Sequence, residues 1–208
     1  MRYKGIGHAP PPAGKVTFTS SAIRSSGTTT ETEEATTFSD PSRPGLFYHF
    51  LNTDPPTFAL SFVKTPPATA DSASVIGWLP ARTFGQEDEA GLNDFRENPR
   101  FREVLHEVIR EGLIEGCDDI QINGALQIRE GWMHIHALDE RNPPPLGRIG
   151  DMDDIIGSVR VEDSRIIPDT YQPMPSYRIC TADGVTQLTE GLATKLNRVL
   201  ERMNQDEH

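Results

Sequence analysis

Hydrophobic and polar positions follow two rhythms along this chain, and each marks a different kind of element. From Thr57 to Lys64, Phe58, Leu60 and Phe62 alternate with Ala59, Ser61 and Val63, the period-two pattern of a strand. Ser74–Leu79 is a second strand, stopped by Pro80. Leu46–Leu51 is a dense apolar run, too short to assign between helix and strand. The rhythm then changes. Asn98 supplies a cap and Pro99 suits a first helical position; Phe101, Val104, Leu105, Val108, Ile109 and Leu113 follow at helical spacing until Gly116 stops the helix. His106 sits at the edge of that stripe and receives no role. Ile120–Ile128 carries Asn123-Gly124 between two alternating runs, the strongest short hairpin cue, so it is expected to be a hairpin; a helix that tolerates Gly124 is the alternative.

Trp132–Leu138 alternates again as a strand. Ile155–Val161 is another, turned back by Glu162-Asp163-Ser164-Arg165 into Ile166-Ile167. Pro168, Pro173 and Pro175 predict an extended but irregular stretch, until Tyr177–Cys180 resumes a strand. The chain closes with a helix expected from about Gly184 to Met203, with Asp183 as cap and Val185, Leu188, Leu192, Leu196, Val199, Leu200 and Met203 as its apolar stripe. The expected fold is α+β: an antiparallel sheet of about six short strands with two amphipathic helices packed on one face.

Composition adds a boundary. Residues 1–45 alternate Gly/Pro clusters with Ser/Thr runs and bury too little apolar surface to offset ordering, so they read as a disordered arm before a single domain over 46–204. The arm is read as a solubilising terminus, with a phosphorylatable or partner-binding tail as the other reading. Arg2, Lys4, Lys15 and Arg24 precede the first acid, Glu31, a bias shared with organelle transit peptides; Pro10–Pro12 break the amphipathic helix such peptides need. Without an apolar secretory core at the N-terminus, cytoplasm or nucleus is the expected compartment, and import is the minor alternative. The net charge of −11 repels phosphate backbones and anionic membranes alike, so neither nucleic acid nor membrane is an expected partner. Cys117 and Cys180 fit no zinc or redox spacing and are expected to be free, partly buried thiols.

The densest chemistry lies in Gly131–Asp154. Alternation places Met133, Ile135 and Ala137 on the core face of the strand, and Trp132, His134, His136 and Leu138 on the other. The two imidazoles then stand about 7 Å apart along the strand. A His-x-His pair on one face can bind a Zn or Fe ion when a third ligand joins it, and Glu140 is the leading candidate ahead of Asp139, Asp151 and Asp153. An open fourth position would activate water or hold substrate. The competing reading is a half-exposed strand whose histidines meet solvent, Trp132 or the acidic loop. Arg141 and Arg148 bracket Pro143–Pro145 and can present a fork to a carboxylate or phosphate, or pair with the neighbouring acids.

Part of this spacing resembles the first cupin motif, Gly-x5-His-x-His-x3-4-Glu-x6-Gly, with His134, His136, Glu140 and Gly147 in register. The leading glycine position falls on Ile128, and only His208 follows His136 to serve a second motif, so the chain is not assigned to that family. No Gly-x-Ser-x-Gly elbow, phosphate loop or EF-hand occurs. The expected function is therefore a non-catalytic module for a protein partner. Its contact surface would be the Pro-rich acidic loop 139–154 with Trp132, Arg141, Arg148 and Asp151. A metal-dependent hydrolase or oxygenase built on His134 and His136 is the alternative.

Overall fold

The computed structural model describes residues 37–81, 91–138 and 152–208. Among them the architecture is α+β, with antiparallel sheets of five, three and two strands and three α-helices. The first sheet orders β1 (Thr37–Ser39), β2 (Phe47–Leu51), β3 (Thr57–Ser61), β4 (Val75–Pro80) and β5 (Arg96–Glu97) as successive neighbours. Two helices follow, α1 (Pro99–Glu115) and α2 (Asp119–Ile128). The second sheet is β6 (Gly131–His136), β7 (Ile155–Glu162) and β8 (Arg165–Pro173). A small hairpin of β9 (Cys180–Thr181) and β10 (Gly184–Val185) leads into α3 (Glu190–Glu207). One hydrophobic core joins Leu60 and Ile76 of the first sheet, Phe101, Leu105 and Ile109 of α1, Val159 and Val161 of β7, and Leu192, Leu196 and Leu200 of α3.

Helix α1 forms where its pattern predicted. Asn98 is buried; its side-chain oxygen accepts from the Arg100 amide at 3.1 Å, and its Nδ2 donates to the carbonyls of Ser72 and Val75 at 2.9 and 2.7 Å. One asparagine thus starts the helix and fastens it to β4. Gly116 ends the helix at φ 63°.

The expected hairpin over Ile120–Ile128 is instead helix α2. The Asp118 carboxylate accepts from the amides of Ile120 and Gln121 at 3.1 and 3.2 Å, and this cap outweighs the Asn123-Gly124 turn cue. Gly124 serves packing rather than turning: a Cβ there would stand 3.1 Å from the Met133 sulfur of β6. The other oxygen of Asp118 accepts from the Leu192 amide at 3.1 Å, so the same side chain caps α3. A Cβ on Gly191 would lie 2.2 Å from the Cys117 carbonyl oxygen, which leaves room only for glycine at this junction.

The closing helix starts at Glu190, later than expected, and Asp183 does not cap it. Gly184 at φ 110° cannot join a helix, and Gly184–Val185 pairs with Cys180–Thr181. The Arg43 guanidinium, stacked over Phe62 at 5.4 Å, donates to the carbonyls of Val185 and Thr186 and holds this segment extended. The stretch expected to be extended but irregular from Pro168 on belongs to strand β8, which continues to Pro173. The register shifts between Ser158 and Arg160, and the Thr170 hydroxyl accepts from the Arg160 amide at 2.8 Å in place of a ladder bond. The turn from β7 to β8 forms as expected, with Asp163 and Ser164 both at positive φ. Only Cys180 of Tyr177–Cys180 is in a strand, although Tyr177 and Ile179 are buried in the core. Strand β1 lies within the stretch expected to be arm.

The double cap gives a direct test by urea unfolding followed with far-UV circular dichroism. Asp118→Ala is expected to lower the unfolding free energy by about 2–4 kcal/mol, because two helix starts lose their acceptor. Asp118→Asn keeps one acceptor oxygen and should lose about half of that.

Candidate functional site

Strand β6 begins at Gly131, φ 126°, after α2 ends on Arg129, and the Glu130 carboxylate ties the junction to the Asp163 amide at 2.9 Å. The alternation read from the sequence holds: Met133 and Ile135 are buried in the core, Trp132 is 49% exposed, and His134 and His136 are half-buried. Pairing with β7 sets Trp132 opposite Arg160 and His134 opposite Ser158. A register shift between Ile135 and His136 then brings His136 opposite Ile155.

The two imidazoles share one face, with ring centroids 6.2 Å apart and planes at 81°. His134 Nδ1 and Ser158 Oγ form a hydrogen bond of 2.8 Å, which fixes the orientation of that ring. His136 Nδ1 is buried and has no hydrogen-bond partner among the described residues. Burial first, and then the neighbouring His134, push the His136 pKa below the ordinary histidine value, so the ring favours its neutral form. A neutral imidazole has a lone pair for a metal or a proton. Among the described residues, no three His, Cys, Asp or Glu side chains gather closely enough to hold a metal ion.

The sequence-predicted site residues divide. The fold brings Trp132, His134 and His136 together. Asp153 faces Arg178 at 3.9 Å, both exposed. Asp139, Glu140, Arg141, Arg148 and Asp151 lie outside the described residues. Both cysteines are free thiols, and burial raises the pKa of each, which keeps them protonated at neutral pH. A small polar cavity of about 180 Å³ opens where β6 ends, lined in part by Leu138, Asp154, Arg178 and Thr186. No helix among the described residues is long and apolar enough to cross a membrane.

Two groups of residues escaped the sequence reading. Ser158 and Arg160 of β7 lie beside His134 and Trp132 of β6, and only the strand register reveals them. His106 accepts or donates a 2.8 Å hydrogen bond through Nδ1 to the Tyr171 hydroxyl. Burial, followed by the charge of Arg102, pushes its pKa down to about 4. The Tyr171 ring lies against Gly157, where a Cβ would approach it to 2.6 Å. Comparison with protein families, curated proteins and solved structures finds no match to this chain.

These histidines give the fold an acid-sensitive stability. His49, His106 and His136 all have pKa values below the ordinary 6.5, with burial as the first cause in each. As the pH falls the unfolded chain therefore takes up protons first, and stability present above pH 6.5 is lost below it. The His106 contribution continues to fall down to about pH 4. Discounted for partial exposure, it amounts to about 2 kcal/mol. Urea midpoints measured from pH 7.5 down to pH 4.5 should fall accordingly, and His106→Leu should flatten the decline. An unchanged slope in that variant would refute the assignment.

Proposed function

We propose that this protein is a non-catalytic binding module whose contact surface is the outer face of β6 with the adjoining loop 139–154. The observation that carries this reading is Trp132: a large aromatic, 49% exposed, on a regular strand and opposite Arg160 in register. Tryptophan and arginine dominate interface hot spots because each brings much contact area with few freedoms to lose. Arg141, Arg148 and Asp151 belong to the loop, whose three prolines reduce the entropy lost on binding. The chemistry favours a protein partner, since a net charge of −11 opposes nucleic acid and anionic membrane. Cytoplasm or nucleus is the compartment we propose; organelle import would instead remove the N-terminal arm.

The test is a photo-crosslinking amino acid placed at position 132 in cells, compared with one at the exposed position of Glu201. A discrete protein adduct specific to position 132, weakened by Arg160→Glu, is the expected result. Equal labelling from both positions would sink the reading. Trp132→Ala should itself cost less than about 1 kcal/mol of stability, as its side chain is half in water.

A metal-dependent enzyme is the second reading, favoured by the shared face of His134 and His136 and by the neutral state of His136. Glu140 would supply the third ligand to one Zn or Fe ion. Elemental analysis of tag-free protein, wild type against His134→Ala/His136→Ala, separates the two. Near-stoichiometric metal lost in the double variant establishes a centre. Metal-free wild type, with no thermal shift on added zinc or iron, retires it.

A further inference from the structure

Every open sheet leaves unpaired backbone groups along its outermost strands, and most of those edges are guarded here. Strand β1 is three residues long, and β5 is the charged pair Arg96-Glu97. Strand β8 runs for nine residues but carries Arg165, Pro168, Asp169 and Pro173. Short length, charge and proline are the usual means of keeping an edge from pairing with another chain. Strand β6 is the other outermost strand of its sheet, and over the six residues Gly131–His136 it has neither a charged side chain nor a proline.

Hydrogen bonds on either side of β6 fix which of its groups face that edge. The Arg160 amide donates to Thr170 of β8, so it points away from β6. Trp132, opposite Arg160, is therefore in the non-hydrogen-bonded kind of pair, and its own N–H and C=O point away from β7. His134, two residues on and opposite Ser158, follows the same alternation. At the far end the Ala137 amide donates inward to the Asp154 carbonyl and the Leu138 amide outward to Gln187, which places His136 in the outward set as well. Among the described residues, no hydrogen bond reaches the outward backbone groups of Trp132, His134 or His136.

We infer that β6 pairs antiparallel with β6 of a second copy of this chain, about a two-fold axis at His134, and so joins two three-stranded sheets into one. The register is self-complementary. With His134 facing itself, Trp132 of each copy faces His136 of the other, and every outward N–H and C=O of these residues gains a partner. Met133 of each copy faces Ile135 of the other on the core side, and the tryptophan ring meets an imidazole on the outer side. Any other antiparallel register leaves some outward groups unpaired, because the Glu130 and Leu138 amides already donate to Ile128 and Gln187. The chain itself supplies the matching strand, already extended on β7, which spares the ordering entropy that a free peptide loses. The net charge of −11 is not carried by this strand, and salt screens it beyond about 10 Å. A six-residue edge buries less than the roughly 800 Å² per partner of a standard interface, so the dimer is weak and depends on concentration. The inference concerns the main chain of β6 rather than the side chains of its outer face, and it does not rest on the reading above.

Sedimentation velocity on the full chain across a wide concentration range should show a reversible monomer–dimer equilibrium. His134→Pro deletes the central outward amide without removing a ladder bond to β7, and should weaken dimerisation by about tenfold or more. His134→Cys should form an interchain disulfide on mild oxidation, above the wild-type background, since facing residues of a hydrogen-bonded pair lie about 5.5 Å apart. Trp132→Cys should not, because its two copies lie about 14 Å apart in this register. In the unsubstituted protein, the amides of Trp132, His134 and His136 should exchange more slowly as concentration rises, a readout independent of how the variants fold. A monomer at every concentration, dimerisation unaffected by His134→Pro, or equal crosslinking from positions 132 and 134 would overturn the inference. So would edge amides that gain protection only when another protein is added.

Discussion

A single carboxylate organises the helical half of this protein. Asp118 is buried, and its two oxygens accept from Ile120 and Gln121 at the start of α2 and from Leu192 at the start of α3. A buried acid is costly unless hydrogen bonds replace its water, and three amides do so here. The arrangement needs close backbone approach. Gly191 allows it against the Cys117 carbonyl, and Gly112 allows Leu192 and Cys117 to come in against α1. Placement of α2 then sets β6, since Gly124 rests on Met133. The outer face of β6, with Trp132 and the two histidines, is thus positioned at one remove by an aspartate on the far side of the sheet.

How far the sequence alone reaches can be judged from where it succeeded. Helix α1 was legible because Asn98, Pro99 and Gly116 are local signals and its apolar stripe is long. The strand role and facing of β6 were legible because alternation decides which side chains meet the core. Helix α2 was not. Asn123-Gly124 is a strong turn cue only when the backbone is free to turn, and a cap five residues earlier had already committed it. The start of α3 was misplaced for a similar reason. Its stripe extends in sequence through Val185 and Leu188, both buried, but from an extended segment held by Arg43 from a distant part of the chain. Ser158 as the partner of His134 depends on strand register, which is a tertiary property. The prolines from 168 on pointed to an extended but irregular stretch, and the irregularity is a register shift within a continuous strand, where the Thr170 hydroxyl accepts from the Arg160 amide.

The histidines illustrate how burial selects a chemical state. Each of His49, His106 and His136 is moved toward neutrality chiefly by lost solvation, but their partners differ. His49 bridges the Thr37 hydroxyl and the Val63 carbonyl through both ring nitrogens, and His106 Nδ1 meets the Tyr171 hydroxyl. His136 retains a buried nitrogen with no hydrogen-bond partner among the described residues. Leaving a polar atom in that condition is unfavourable, and such atoms in native proteins call for an explanation beyond packing. This contrast sets His136 apart from His49 and His106.

The clasp made by Arg43 has a consequence for how the chain matures on a ribosome. Its acceptor on Val185 lies 142 residues further along the sequence. At ordinary elongation rates that carbonyl emerges roughly 7 to 30 s after the arginine. For that interval the edge of the first sheet has its aromatic residues and its guanidinium in place but nothing to close against. Phe38 and Phe50 remain partly exposed even in the finished fold. The N-terminal sheet therefore keeps this guanidinium without its carbonyl acceptors until one of the last segments of the chain has been synthesised.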